Sequence, residues 1–394
     1  MIDERILATR TSRMGASAIR EILKVLGQPG MVSLAGGIPA PDSFPLKLIS
    51  ELSDIVLEKY GPKALQYDLT EGFIPLREAL VSEMARKGVT ATVNDIIISS
   101  GSQGALDAMG KILVTPGDVV AVEAPTYLGA IQAFNPYGPK YVRMDTDDDG
   151  LIPEALEKVL SEHAVKFVYL VPTFQNPTGR TIPRARREKI AEIAKARNVL
   201  IVEDDPYGTL RFKGEAIPPL KAFAPDHVVY MGSFSKVFSP GLRLGYTVAP
   251  PLVAKWMTLA KQGVDLRTCT FAQSLAAEYL IGGHLLKQVE KIIAMYAPKL
   301  EAMLEAVEEH FPEDWKYSRP DGGMFVWAEG PKGVDTEKLY GQCVARKAAF
   351  VPGKFFYTNP EEGLATMRLN YTMASAEQIR WAIGVIAEVI KENR

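Results

Sequence analysis

A lysine in a polar loop is the first residue of this 394-residue chain that could do chemistry. Lys236 follows the apolar run VVYMG, with Ser233 and Ser235 just before it and Arg243 seven residues on. The apolar run predicts a buried strand, and burial would lower the lysine's pKa and leave a nucleophilic amine.

The stretch SFSK also matches the SxxK motif of penicillin-binding proteins. That chemistry needs S-D-N and K-T-G elements, which the sequence lacks, so the serine mechanism is not favoured.

Two other polar stretches follow apolar runs. Asp204 comes after VLIVE and is followed by Asp205 and Tyr207, so it is a salt-bridge partner, a helix cap or a functional acid. After DIIISS, Ser102 and Gln103 begin a helix behind a Gly/Ser loop. This loop is either an ordinary strand–helix turn or a phosphate site, since the free N–H groups and the dipole of a helix N-terminus favour an anion.

Taken together, these features favour pyridoxal phosphate as cofactor. That cofactor needs a lysine for a Schiff base, an acid for its pyridine nitrogen and a helix N-terminus for its phosphate. The fingerprints of competing ligands are missing, because the chain contains neither GxGxxG nor GxxxxGK[ST]. Four scattered histidines without HExxH or CxxC companions predict no metal site.

The elements that must position these residues follow an alternating pattern. Short apolar runs of strand length alternate with amphipathic helical segments from about residue 46 to 290, which predicts a buried, mostly parallel sheet in an α/β domain. We expect a large cofactor-binding domain over 46–289. Residues 1–45, together with 290–394, are expected to form a smaller α+β domain and a segment that covers the substrate. Pro298 is expected to interrupt a long helical stretch in the smaller domain.

Five stretches, in this order, make the chain resemble the class I/II aminotransferases of the fold-type I pyridoxal-phosphate enzymes. They are Gly101-Ser102-Gln103-Gly104, Asn176-Pro177-Thr178-Gly179, Asp204-Asp205-Pro206-Tyr207, Ser233-Phe234-Ser235-Lys236 with Arg243, and Arg368-Leu369-Asn370. Within that family, SLAGGIPAPDSFP and PTFQNPTGR are most similar to the 2-aminoadipate and kynurenine aminotransferase branch. The resemblance implies a large α/β domain with a mostly parallel sheet and a smaller α+β domain.

The resemblance also implies roles for individual residues. Lys236 would bind the cofactor covalently and move the substrate proton, while Asp204 would keep the pyridine nitrogen protonated. Asn176 and Tyr207 would hydrogen-bond the phenolic oxygen of the ring. Tyr127 would stack on the ring. The phosphate would be held by Ser102, Gln103, Ser233, Ser235 and Arg243.

The substrate side of the site follows from the same resemblance. Arg368 would bind the substrate carboxylate, aided by Asn176, and Gly37 would let substrate approach. Tyr67 would reach the phosphate of a neighbouring subunit, which implies a homodimer with shared active sites. Arg20, at the edge of an apolar helical stripe, is either a solvated arginine or a residue that reads the distal carboxylate of acidic substrates.

The composition predicts that the protein binds neither nucleic acid nor membrane, which leaves small molecules as its expected ligands. With 45 basic and 47 acidic residues the net charge is −2, which predicts no nucleic-acid surface. No apolar run approaches the roughly 18 residues of a membrane span and no signal peptide is visible, so we expect a cytoplasmic enzyme.

The expected reaction transfers the amino group of an L-amino acid to a 2-oxo acid such as 2-oxoglutarate. The alternatives are a pyridoxal-phosphate β-lyase and a non-catalytic regulator with an aminotransferase-like domain.

Overall fold

The architecture is built around a mostly parallel sheet. A computed structural model of the protein describes residues 3–15 and 29–394. Within these residues, the central sheet has seven strands: β2 (Ile96–Ser99), β3 (Val119–Glu123), β4 (Lys140–Met144), β7 (Val165–Leu170), β8 (Leu200–Asp205), β9 (Val228–Ser233) and β10 (Gly245–Val248). Their order across the sheet is β2-β10-β9-β8-β7-β3-β4. Strand β10 runs antiparallel to both neighbours, while the other neighbouring pairs are parallel.

The strands are short apolar runs because both faces of the sheet are covered. Ile96–Ser99 is buried along its whole length, as is nearly all of Val228–Ser233. The helices of the described residues cover the two faces and build the smaller domain. They are α1 (Leu46–Tyr60), α2 (Pro62–Leu65), α3 (Ile74–Arg86), α4 (Gly101–Leu113), α5 (Leu128–Phe134), α6 (Pro153–Glu162), α7 (Arg184–Arg197), α8 (Leu220–Phe223), α9 (Pro251–Gln262), α10 (Thr270–Ile281), α11 (His284–His310), α12 (Thr336–Ala345) and α13 (Ala376–Glu392).

The smaller sheets of the described residues belong mainly to the C-terminal part of the chain. The strands outside the central sheet are β1 (Val32–Ser33), β5 (Thr146–Asp147), β6 (Gly150–Leu151), β11 (Lys316–Tyr317), β12 (Phe325–Glu329), β13 (Ala348–Ala349), β14 (Val351–Pro352) and β15 (Thr366–Asn370). Four of them form an antiparallel sheet in the order β11-β12-β15-β14. Strand β1 pairs in parallel with β13, which ties the N-terminal segment to the C-terminal part. The division of the chain at residues 46 and 290 stays a prediction.

Helix α11 differs from the sequence-based expectation. It is one helix of 27 residues that contains Pro298, whereas the proline predicted an interruption. A proline inside a helix removes one hydrogen bond and costs about 3 kcal/mol. The helix buries Ile292, Tyr296, Leu300 and Met303 in the core, and this burial offsets the cost of the proline.

The parallel strands bring distant segments to one edge of the sheet. Strands β8 and β9 end at Asp205 and Ser233, and helix α4 begins two residues after the end of β2. In open α/β sheets, ligands bind outside the carboxyl ends of such strands. No helix among the residues that the structure describes is long and apolar enough to cross a membrane.

Candidate active site

Lys236 lies in the loop that leaves strand β9. Its Nζ donates a hydrogen bond of 2.7 Å to the carbonyl oxygen of Gly37, so the loop meets the N-terminal segment at this point. Burial lowers the pKa of Lys236 to about 8, and the charges of Arg368 and Arg243 act in the same direction. About a tenth of the amine is therefore unprotonated at pH 7, far more than in a lysine with the ordinary pKa of 10.5, and only the unprotonated amine bonds to an aldehyde.

Asp204 presents one free carboxylate oxygen. It lies near the end of strand β8 and is 2% exposed. Oδ2 accepts a hydrogen bond of 2.9 Å from the hydroxyl of Tyr169, while Oδ1 is buried without a hydrogen-bond partner among the described residues. Burial raises the pKa of Asp204 to about 7, the Tyr169 hydrogen bond opposes this rise, and the charge of Asp205 adds to it. A buried carboxylate oxygen without a partner is suited to accept a hydrogen bond from a ligand, such as an N–H group.

Two glycines allow close approaches at the start of helix α4, one by an arginine and one by strand β10. Gly101 has a φ of +74°, and a Cβ there would lie 2.6 Å from Nη2 of Arg243. A Cβ on Gly245 would lie 2.7 Å from the backbone nitrogen of Ser102. Arg243 donates a long hydrogen bond of 3.5 Å to the Pro240 carbonyl and forms no ion pair within the described part of the chain. Its charge and the helix N-terminus form a cradle for an anion.

Serines and an aromatic ring complete this side of the cavity. Ser233 and Ser235 line the cavity with Gln103, and the Ser235 N–H donates to Oγ of Ser233 at 3.1 Å. Tyr127 precedes helix α5, and its ring occupies the space where a Cβ on Gly129 would lie, 2.4 Å from Cζ. Burial raises the pKa of Tyr127 to about 12, so this phenol remains neutral.

Arg368 faces the cavity from strand β15 of the smaller sheet. Its Nη1 donates to Oδ1 of Asn176 and its Nη2 to the Ala35 carbonyl, both at 2.8 Å. The Asn176 amide in turn donates to the hydroxyl of Tyr207 at 3.5 Å. The Arg368 guanidinium lies 4.4 Å from the ring centroid of Phe325, and burial lowers its pKa to about 10. A buried, aromatic-backed guanidinium is suited to a carboxylate.

The structure brings twelve of the fourteen expected site residues to one cavity of about 660 Å³. They are Gly37, Ser102, Gln103, Tyr127, Asn176, Asp204, Tyr207, Ser233, Ser235, Lys236, Arg243 and Arg368. This volume lies within the range of small-molecule sites. The positions come from strand ends, helix starts and two loops, so the tertiary structure assembles the site.

Two expected residues are not in this cavity. Tyr67 is 77% exposed, and the Arg267 guanidinium lies 3.8 Å from its ring centroid. Tyr67 therefore does not line the cavity of its own chain, and its contact with a neighbouring subunit stays a prediction. Arg20 lies outside the described residues.

Sequence reasoning missed several residues that line or support the cavity. The lining residues are Gly15, Ile38, Gln132, Val171, Pro206 and Pro240. Val171 and Pro206 could have been found by the same rule as Asp204, because each closely follows the end of a buried strand. Tyr169 lies inside strand β7, where an apolar run gives no sign of a polar role.

The residues of the cavity fit pyridoxal phosphate. Asp204 supplies the unpartnered buried oxygen for a pyridine N–H, and the cradle at Gly101 and Arg243 suits a phosphate. Lys236 supplies the amine, and Tyr127 an aromatic face. Among the described residues, no group of three or more His, Cys, Asp or Glu side chains is placed to hold a metal ion.

The chain belongs to the family described as "Aminotransferase class I and II", which it matches over residues 41–386. It is 45% identical to aromatic-amino-acid aminotransferase 1 of Thermococcus litoralis, over 99% of this chain and 95% of that protein. The family match and this relative show that the protein is an aminotransferase, and the resemblance noted in its sequence is confirmed. The family depends on pyridoxal phosphate.

Two solved structures are similar over nearly the whole chain. A kynurenine aminotransferase from Pyrococcus horikoshii is 43% identical with a TM-score of 0.95, over 99% of this chain and 98% of that one. The α-aminoadipate aminotransferase of Thermus thermophilus, complexed with N-(5'-phosphopyridoxyl)-L-leucine, is 37% identical with a TM-score of 0.91. That alignment covers 100% of this chain and 99% of the other. The expected fold class, fold-type I, is confirmed.

Proposed function

We propose that the protein transfers the amino group of an L-amino acid to a 2-oxo acid, with pyridoxal phosphate held in the 660 Å³ cavity. One observation carries this proposal. The lowered-pKa amine of Lys236, the unpartnered oxygen of Asp204 and the guanidinium of Arg368 all face the same cavity. These three groups are what amine transfer requires: a covalent anchor, a partner for the ring nitrogen and a carboxylate receptor.

Named residues would hold each part of the cofactor. Ser102, Gln103, Ser233, Ser235 and Arg243 would bind the phosphate. Asp204 would bind the pyridine nitrogen, Asn176 and Tyr207 the phenolic oxygen, and Tyr127 the ring face. When bound, pyridoxal phosphate supplies an aldehyde that bonds to amines and a ring that accepts the electron pair released at the substrate α-carbon.

The protein's own groups then orient the substrate and move its proton. Arg368 binds the α-carboxylate and thereby fixes the α-carbon within reach of Lys236. The Nζ of Lys236, with its pKa lowered to about 8, is suited to accept and return the α-proton near neutral pH. Phe325, which packs against both Arg368 and Tyr207, holds these two residues in place.

The named relatives support a donor from the aromatic, kynurenine and 2-aminoadipate group. We propose 2-aminoadipate or an aromatic or aliphatic L-amino acid as donor and 2-oxoglutarate as acceptor. The two substrates share the Arg368 site, so the first 2-oxo acid must leave before the second binds, which gives ping-pong kinetics. The exposed Tyr67 supports a homodimer in which this residue completes the partner's phosphate site.

Steady-state kinetics test the proposal. A panel of donors that contains 2-aminoadipate, kynurenine, phenylalanine and leucine is assayed with 2-oxoglutarate. We expect glutamate to form, with parallel lines in double-reciprocal plots. Release of ammonia without glutamate would instead indicate a lyase and overturn the proposal.

A variant pair tests the assignment of the lysine. Lys236→Ala removes both the anchor and the proton carrier, so we expect no measurable turnover and no borohydride-sensitive absorbance. Lys255→Ala, which changes an exposed lysine on helix α9, is the matched control and should behave as wild type. Near-normal turnover of Lys236→Ala would show that another group does the chemistry.

A further inference from the structure

We propose that Tyr169 is a positioning residue of this enzyme: its hydroxyl holds the Asp204 carboxylate so that the free oxygen meets the cofactor's ring nitrogen as an anion. The inference rests on the proposed function and adds a residue that the sequence motifs do not contain. Its basis is the 2.9 Å hydrogen bond from Tyr169 to Oδ2 of Asp204, beside an Oδ1 without a partner in the described chain.

Strand register explains why these two residues meet. Tyr169 pairs with Val202 across strands β7 and β8, and Asp204 lies two residues beyond Val202. Because strand side chains alternate, Val202 and Asp204 share one face of the sheet. Tyr169 therefore reaches Asp204 diagonally along that face, and the contact is built into the central sheet rather than into a loop.

The tyrosine is held in one position. It is 0% exposed, and its ring packs edge-on against Phe134 with centroids 5.9 Å apart and an interplanar angle of 78°. Burial raises the pKa of Tyr169 well above its usual value, so the phenol keeps its proton. Tyr169 is therefore a permanent donor that fixes which oxygen of Asp204 faces the cavity.

The groups around Asp204 disfavour its ionised form, so the carboxylate needs a hydrogen-bond donor to remain an anion. Burial and the charge of Asp205 both disfavour an ionised Asp204, and the hydrogen bond from Tyr169 opposes them. Asp205 is in turn bound by Lys87 at 3.4 Å and by the Tyr230 hydroxyl at 2.8 Å. Lys87 thus pairs with Asp205, whereas Asp204 forms no ion pair within the described residues and has the Tyr169 hydrogen bond to stabilise its anion.

Loss of the donor has a definite chemical consequence. Without the Tyr169 hydrogen bond, the Asp204 carboxylate becomes more basic and draws the shared proton away from the ring nitrogen. A less cationic ring is a poorer electron acceptor, so proton abstraction slows. Tyr169 is not among the residues that line the cavity, so binding of the amino acid should change little.

The test compares two tyrosine variants as full-length holoenzymes. Tyr169→Phe is matched by Tyr371→Phe, because Tyr371 is equally buried and donates to the Gly322 carbonyl at 3.0 Å, away from Asp204. Each protein is reconstituted with pyridoxal phosphate labelled with ¹⁵N in the ring. The nitrogen NMR shift then reports protonation of the ring directly, apart from activity.

The expected results separate positioning from structure. In Tyr169→Phe, we expect the ring-nitrogen signal to move toward the unprotonated value. We also expect kcat to fall roughly tenfold to a hundredfold, because this factor corresponds to the free energy of a hydrogen bond to a charged group. KM should be nearly unchanged. In the double variant that combines Tyr169→Phe with Asp204→Asn, we expect kcat to be no lower than in Asp204→Asn alone. Tyr371→Phe should keep the wild-type shift and kcat.

Other outcomes overturn the inference. A wild-type nitrogen shift in Tyr169→Phe, or an equal change in Tyr371→Phe, would leave Tyr169 a structural residue. If Tyr169→Phe does not fold, 3-fluorotyrosine in place of Tyr169 keeps the ring and strengthens the donor, so the pH at which the ring-nitrogen signal reaches its unprotonated value should rise. An unchanged pH would refute the inference. If instead the wild-type protein binds no labelled cofactor, the proposed function itself fails.

Discussion

Nη1 of Arg368 donates a 2.8 Å hydrogen bond to Oδ1 of Asn176, which lies 192 residues earlier in the chain. This bond joins the expected substrate receptor on the smaller sheet to the expected cofactor ligand beside the central sheet. Because Asn176 also donates to the Tyr207 hydroxyl, a substrate carboxylate on Arg368 and a cofactor phenolic oxygen on Tyr207 would share one hydrogen-bonded chain.

This coupling gives a first prediction. Arg368→Lys removes the planar fork and the contact with Asn176, so we expect kcat/KM to fall about a hundredfold for every donor. Asn176→Ala should lower it too, and the double variant should lose less than the sum of the two single losses, because the residues are in contact. Steady-state kinetics of all four proteins measure the coupling. Strict additivity would mean that the bond has no role in catalysis.

Asp204→Asn should separate cofactor binding from catalysis. The amide keeps the shape of the side chain but does not hold a proton on the ring nitrogen. We therefore expect the cofactor to remain bound while kcat drops by at least about a hundredfold, the loss typical of removing an electrostatic stabiliser. If this variant turns over as wild type, another acid serves the ring.

The same variant carries a pH prediction for the cofactor-free protein. Burial raises the pKa of Asp204 to about 7 from an ordinary value of 3.8, so the folded state binds more protons than the unfolded state between these values. The contribution of Asp204 to stability must therefore fall as pH rises from about 4 to 7. Asp204→Asn should raise the melting temperature more at pH 8 than at pH 4, as calorimetry can measure. A gain independent of pH would contradict the shifted pKa.

Capture of the cofactor by the cofactor-free protein should depend on pH through Lys236. Only the unprotonated amine attacks an aldehyde, and burial lowers the pKa of Lys236 to about 8. The second-order rate of absorbance change on adding pyridoxal phosphate should rise about tenfold per pH unit below 8 and then level off. A rate that is flat between pH 6.5 and 9 would show that deprotonation of this lysine does not control capture.

Tyr67→Phe tests whether the phosphate site is shared between subunits. Loss of a hydrogen bond to a charged phosphate should weaken cofactor binding by about 1.5–3 kcal/mol. If Tyr67 acts across the interface, a heterodimer of Tyr67→Phe and Lys236→Ala subunits has one site with both defects and one intact site. At limiting cofactor it should reach about half of wild-type activity. Activity no better than in either parent would place Tyr67 outside the partner's site.

Arg20, which lies outside the described residues, remains a prediction from the sequence. If it reads a distal carboxylate, Arg20→Ala should cost 2-aminoadipate and glutamate about 1.5–3 kcal/mol in transition-state binding. Leucine and phenylalanine should lose far less. Values of kcat/KM for the four donors decide the question. Equal losses for acidic and apolar donors would assign Arg20 a structural role.

The sequence alone determined the segments that carry chemistry. Short apolar runs predicted the buried strands, and the polar residues that follow them, such as Asp204 and Lys236, lie at one edge of the sheet as expected. This inference works because parallel strands all end at the same edge and because the relevant signals lie within a few neighbouring residues. The resemblance of the ordered motifs added Arg368, which no local pattern marks as functional.

Only the tertiary structure decided which side chains touch. Tyr169 contacts Asp204 because β7 lies beside β8 in a particular register. The local sequence of either strand predicts neither its neighbour in the sheet nor this register. The contact of Arg368 with Asn176 needs the loop after β7 to meet strand β15 of the smaller sheet, and the exposure of Tyr67 depends on what surrounds it. Helix α11 continues through Pro298 because burial along its whole length outweighs a local penalty. Sequence patterns report local preference, whereas these four outcomes follow from contacts between residues far apart in the chain.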